Sequence, residues 1–449
     1  MPSSPRRIAI RAAARKASLF YFVFVMYSYT TGGPFGLEDT VSTSGPGLML
    51  MYILLVPFFW CIPVSLVSAE LTSVMPVEGG FYRWTRAAFG DFWGFLAGWW
   101  NWSASFFLGG VYAVLFTDYI RFWFPQVTGW KHYLVSVALI AIITYLNIRG
   151  IQVVGKFATV LEIFILLPVG ALILIGLSKF HHNPFIPLMP PNKPLFQVFG
   201  VGLALVLWGY SGYEQLSTVA EEVENPQRSY PIALAMVVPL SIATYFLPTI
   251  ASLGALGNWQ DWHTGYLSDA ARLIGGPQLG FWMTVAAMVT NVALLNSTVL
   301  TTTRMPAAMA EDGYLTAKLT SPHPRFGTPW IAILVSALIY ALLAFQTLTG
   351  LITIYVWLRS ATTILTVFSA WGMRRKHPEL RRSFIVPGGK IGLCYVIAAP
   401  VIMSFIALFG SDSFAMRWGP VALVLGPVAY GIDRVFRRNR SADSAAVMS

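Results

Sequence analysis

Charge is scarce in this chain: only 11% of its 449 residues are Asp, Glu, Lys or Arg, against about 25% in an ordinary soluble domain. Hydrophobic residues make up 56%, so most of the chain belongs in lipid. Cysteine is nearly absent. Cys61 and Cys394 stand in apolar stretches and read as small buried hydrophobes, not as a disulfide or ligand pair. No Cys/His spacing of the metal-binding kind occurs, and His181-His182 stand in a loop without partners. Neither a metal nor a cofactor is expected. No glycine-rich loop precedes a Lys-Ser/Thr pair, which argues against an ATP-driven machine. No nucleophile–base pair stands out, which argues against an enzyme. The first hydrophobic segment carries no small-residue cleavage pattern, so no cleavable secretory signal is expected.

What is present is a series of apolar spans of roughly 20 residues. Twelve can be counted, centred near Phe24, Phe58, Phe106, Leu139, Leu166, Leu205, Tyr245, Ala287, Ala337, Thr362, Ala399 and Leu425. The expectation is one all-α integral membrane domain over residues 18–440. A basic tail over 1–17 precedes it, and a disordered tail over 441–449 follows. With an even span count and both ends on one side, 23 of the 30 Lys and Arg residues fall on that side, six on the other, and Arg359 within a span. That bias predicts cytoplasmic termini in a cell membrane and basic loops near anionic headgroups. The net charge of +11 is thus spread over loops and is not the contiguous basic face that nucleic acid requires.

Two spans are interrupted. The first breaks at Gly32-Gly33-Pro34-Phe35-Gly36, with Glu38 and Asp39 just beyond; the sixth breaks at Gly209-Tyr210-Ser211-Gly212-Tyr213, followed by Glu214. Glycine frees φ and proline removes an N–H, so both interrupt a helix. In a bilayer, such breaks persist only where they are buried in protein or line a cavity. Breaks in spans one and six have the spacing of a five-plus-five repeat, with helices 1–5 over about 18–178 and helices 6–10 over about 196–373. An odd number of spans per half inverts the second half, and the shared site then lies at the breaks. Helices 11–12, about 391–436, fall outside the repeat and suit packing or dimer contact.

Several stretches resemble the amino acid–polyamine–organocation transporters. Gly32 through Asp39 is similar to the first-helix break of the polyamine-uptake branch. Ala69-Glu70-Leu71 with Met75-Pro76 and Glu78-Gly79-Gly80-Phe81 resembles that branch's second helix and following loop. Glu222-Val223-Glu224-Asn225-Pro226, Arg304 with Ala310 through Leu315, and Arg374-Arg375-Lys376-His377-Pro378 with Phe384 through Pro387 follow in the family's order. The resemblance implies a leucine-transporter-type fold, alternating access, an aromatic gate at Trp208, and a polar or acidic position at Glu214. There are two departures. The loop from Asp118 to His132 lacks the cysteine of the heavy-chain-linked exchangers, so no disulfide-linked heavy chain is expected. Glu162 stands where many relatives carry a lysine, which opens the question of the coupling ion.

The glycines alone admit two substrates, because freed N–H groups suit a carboxylate and freed carbonyls suit a cation. The acids discriminate better. Glu38, Asp39 and Glu214 lie within a few residues of a break, and intramembrane acids mark ion or substrate paths. A polyamine needs two or more carboxylates along its length and aromatic faces for cation–π contact. Phe35, Trp208, Tyr210 and Tyr213 supply rings. Adjacent helical residues point about 100° apart, so Glu38 and Asp39 are not expected to face one cavity; either can instead be a solvated helix end. Glu162 lies inside span five, where burial favours a neutral carboxyl and makes it a candidate proton carrier; the alternative is an ion pair with Lys156 or Arg359. Arg359 can bind a substrate carboxylate or form a structural pair. Asn291, Asn296, Ser297 and Thr298 in span eight suit sodium or helix packing. The combined expectation is a polyamine importer coupled to protons, a monomer or homodimer in lipid. An amino acid transporter or exchanger on the same fold is the alternative.

Overall fold

The computed structural model describes residues 19–31, 33–77, 79–150, 158–191, 193–213, 226–302 and 304–448, which form helices and no strand. The first break separates α1 (Leu19–Thr30) from α2 (Asp39–Ser44). Then come α3 (Pro46–Val74), α4 (Gly80–Phe89), α5 (Asp91–Ile120), α6 (Trp130–Ile148) and α7 (Ala158–Ser178). After the extended 179–194 connection, α8 (Leu195–Gly209) runs into the second break. The chain continues with α9 (Pro226–Leu256), α10 (Tyr266–Gly275), α11 (Pro277–Thr302) and α12 (Arg304–Glu311). It ends with α13 (Trp330–Leu343), α14 (Leu348–Lys376), α15 (Gly389–Phe409) and α16 (Ser413–Met448).

Among the described residues, eight helices are long and apolar enough to cross a membrane: α3, α5, α6, α7, α9, α11, α14 and α15. Each of the twelve expected span centres lies inside a helix. α5 and α14 pack along one another at the centre and both touch α4. α15 and α16 lie outside, with Ile391, Phe405 and Trp418 exposed. Apolar side chains turned outward all along a helix are what a lipid-facing surface requires. Cys394 lies on that outer face, whereas Cys61 is buried; the expectation that both are buried fails for the peripheral helix. α16 is helical to Met448, where the sequence predicts disorder from residue 441. Ala and Met are good helix formers, and extending a helix already nucleated costs little.

Proline chemistry explains a π-helical turn in α3. Pro57 has no N–H, so the Ile53 carbonyl four residues earlier loses its helical donor. A π-helical turn over Pro57–Cys61 follows, and Ile62 donates to the Pro57 carbonyl instead of to Phe58. The two orphaned carbonyls are filled by tyrosines far along the chain, one in the second break and one in α15. Tyr210 donates to Ile53 O at 2.9 Å, and Tyr395 donates to Phe58 O.

α4 and α10 are copies of one local design. Each has ten residues, follows a left-handed glycine (Gly79 at φ 80°, Gly265 at φ 88°), and stops at another glycine (Gly90 at φ 94°, Gly276 at φ 89°). At a constant offset of 186 positions, Gly79, Arg86, Gly90, Gly94 and Phe95 match Gly265, Arg272, Gly276, Gly280 and Phe281. The packing matches too. A Cβ on Gly94 falls 2.5 Å from Arg86 Cβ, and one on Gly280 falls 2.7 Å from Arg272 Cβ. Only glycine lets the next helix begin so close.

Candidate substrate site at the two helix breaks

The freed backbone groups of the breaks find specific partners. At the first break, the Gly36 N–H donates to Glu38 Oε2 at 2.7 Å. At the second, Tyr245 donates to Gly209 O at 3.1 Å and Tyr230 to Tyr213 O at 2.5 Å. An unpaired carbonyl in apolar surroundings costs several kcal/mol, so α9 stabilises the break through these hydroxyls. Ser241 of α9 then joins the two breaks: its Oγ lies 2.5 Å from Thr31 Oγ1 and accepts from Tyr213 OH at 2.9 Å.

Gly36, at φ 90°, lies directly under Trp208. A Cβ there falls 2.8 Å from the indole Cη2 and 3.0 Å from Leu115 Cδ2. Trp208 leans on Tyr112, with ring centroids 6.5 Å apart, and Leu37 packs on Gly209. Residues from both breaks therefore meet at one buried place. Glu38 is only 2% exposed there, with Oε1 accepting from Tyr119 of α5 and Oε2 from Gly36. The Phe35 ring meets the Tyr119 ring edge-on at 5.6 Å and 83°.

The other predicted residues separate into groups. Gly33, at φ 115°, is buried beside Phe35. Asp39 turns away from Glu38: its Oδ2 accepts from Thr264 Oγ1 at 2.7 Å, and it lines a cleft of about 510 Å³ with Asp118, His132, Trp130 and Tyr133. The angular argument for two different environments thus matches the geometry. Tyr210 and Tyr213 are both buried, with hydroxyls committed to Ile53 and Ser241. Their work in this conformation is to anchor the break, not to offer open ring faces. Gly32, Glu214 and Lys156 lie outside the described residues.

Glu162 is buried at 3% exposure beside Tyr27 and Ser28 of α1. Its Oε1 has no hydrogen-bond partner. Arg359 donates to Asn101 Oδ1 of α5, tying α14 to the central helix. Asn296 accepts from Asn147 of α6 at 2.8 Å, a helix-packing contact. At the far end, Glu70 takes a bidentate bond from Arg374, at 2.7 and 2.6 Å, and the Val386 N–H at 2.8 Å. Tyr119, Ser241 and Tyr245 carry no motif, and only their partners across the fold reveal them.

Paired helix breaks, a buried carboxylate between them and a surround of apolar helices define a multi-pass membrane transporter. The profile of the amino acid permease family matches residues 18–426. The chain belongs to that family. It is 32% identical over 410 residues to a probable polyamine transporter of Arabidopsis thaliana, covering 90% of this chain and 80% of the relative. It is 31% identical over 427 residues to polyamine transporter PUT1 of Oryza sativa subsp. japonica, covering 94% and 78%. An uncharacterized transporter of Mycobacterium bovis is 28% identical over 459 residues, covering 99% of this chain and 97% of its own length. Family and relatives are transporters, not enzymes.

Proposed function

We propose that this protein takes up polyamines of the putrescine or spermidine type by proton-coupled alternating access. The carrying observation is Glu38: a carboxylate buried at a helix break, bonded to the N–H of Gly36, over which Trp208 lies, and to Tyr119, whose ring meets Phe35. A buried acid with aromatic neighbours suits an ammonium group, and the relatives named polyamine transporters agree with that choice. Glu38 holds one ammonium and Glu214 the other, with Asp39 at the entrance and Glu162 carrying the proton. The bond from Arg359 to Asn101 favours a structural role for that arginine.

The twelve-span, five-plus-five organisation is part of the proposal. It is supported by the α4 and α10 copies, which precede spans three and eight and so stand five spans apart. Five is odd, so the two copies belong at opposite membrane faces. In this reading the protein sits in the cell membrane with both termini cytoplasmic, alone or as a homodimer, without a disulfide-linked heavy chain.

Purified protein in lipid vesicles, given labelled putrescine or a labelled neutral amino acid, tests the substrate. Accumulation of putrescine under an imposed pH gradient is expected. Uptake that ignores putrescine and follows the amino acid overturns the reading. That rival, an amino acid transporter holding a carboxylate at the Gly32–Gly36 backbone, draws support from the family description. Glu162→Gln tests the coupling: full retention of gradient-driven accumulation removes Glu162 from the mechanism.

A further inference from the structure

Glu38 is held at both oxygens, and one of the two donors comes from outside the broken helix. Oε2 accepts from the Gly36 N–H within the break itself. Oε1 accepts from the Tyr119 hydroxyl of α5, 81 positions away. A carboxylate has about four acceptor sites, so two remain for an ammonium group. The Tyr119 ring cannot swing freely. It is 1% exposed, and the Phe35 ring stands edge-on to it at 5.6 Å. Phe35 and Glu38 belong to the same break, so Tyr119 contacts it twice.

The neighbouring residue serves a different space. Asp118 lines the 510 Å³ cleft with Asp39, and its Oδ1 lies 3.0 Å from His132 Nε2. The last turn of α5 thus presents one acid to the cleft and one phenol to the buried carboxylate. Asp39 is fixed by Thr264 while Glu38 is fixed by Tyr119.

From this arrangement we propose that Tyr119 is a positioning residue of the cation site. Its hydroxyl sets the direction in which Glu38 presents its remaining acceptor sites to the substrate's ammonium group. This rests on the reading of Glu38 as the cation-holding carboxylate. Tyr119 itself need not touch the substrate. Without its hydroxyl, the carboxylate keeps only backbone donors of its own break and can rotate about them, so fewer encounters find the free sites aimed correctly.

The test is Tyr119→Phe in the full-length protein in vesicles. The expected result is a KM for putrescine raised roughly tenfold, the size of a lost hydrogen bond to a charged group, with kcat changed by less than about threefold. A second readout does not depend on the substrate. In thermal unfolding, Tyr119→Phe lowers the melting temperature in the wild type but has a much smaller effect in the Glu38→Gln background, because the partner is already altered. Additive melting shifts, or an unchanged KM alongside non-additive shifts, overturn the assignment. If wild-type vesicles ignore putrescine and take up an amino acid, the substrate reading fails by itself. The KM comparison is then made with that amino acid, and an unchanged value overturns the role of Tyr119. Should Tyr119→Phe fail to fold, Glu38→Asp withdraws the carboxylate from the hydroxyl and is expected to raise KM by a similar factor; an unchanged KM overturns the proposal.

Discussion

Replacing Gly36 by alanine separates two costs that the structure makes measurable. The first is conformational. Gly36 sits at φ 90°, and an L-residue in that region costs about 1–2 kcal/mol. The second is steric. The new methyl falls 2.8 Å from Cη2 and 2.9 Å from Cζ3 of Trp208, and 3.0 Å from Leu115. Overpacking of this kind costs about 1–3 kcal/mol, so Gly36→Ala should destabilise by about 2–5 kcal/mol in total. Gly265 supplies the control. It has nearly the same φ, 88°, but the nearest atom to its Cβ position is an ordinary 3.7 Å away, so Gly265→Ala pays only the conformational part. Apparent melting temperatures in one detergent should fall in the order wild type, Gly265→Ala, Gly36→Ala. Trp208→Phe removes the ring atoms that clash. In that background only the 3.0 Å approach to Leu115 remains, so Gly36→Ala should cost markedly less than it does in the wild type. If Gly36→Ala melts with Gly265→Ala in the wild-type background, Trp208 does not cover the break as described.

Tyr210→Phe should destabilise by about 1–3 kcal/mol by leaving Ile53 O unsatisfied. The loss should shrink when Pro57→Ala restores the helical N–H, and an equal loss in both backgrounds refutes the pairing. Glu70→Gln should cost about 3–5 kcal/mol, since it leaves the Arg374 guanidinium beside a neutral amide in a largely buried site; a melting temperature unchanged from wild type refutes this. Arg359→Gln keeps a donor for Asn101 and should retain substrate uptake with lowered thermal stability. Loss of uptake with unaltered stability instead assigns Arg359 to the substrate.

Much of this protein was legible in residue order. Low charge and apolar runs place every expected span centre in a helix, and the glycine clusters mark both breaks. The copied pattern of Gly79, Arg86, Gly90, Gly94 and Phe95 at Gly265, Arg272, Gly276, Gly280 and Phe281 was also present, but five identities in seventeen positions are faint until two equal helices align them. Composition and local pattern act over a few turns, and they suffice to say where helices form and where they fail. Partners are another matter. That the Tyr210 hydroxyl meets Ile53 O, that Glu38 faces Tyr119 while Asp39 faces the cleft, and that Arg359 meets Asn101 all depend on which helix faces touch. Those contacts join residues 81 to 258 positions apart. The demand that every buried polar group find a partner is set by chemistry, but only tertiary packing decides which partner it finds.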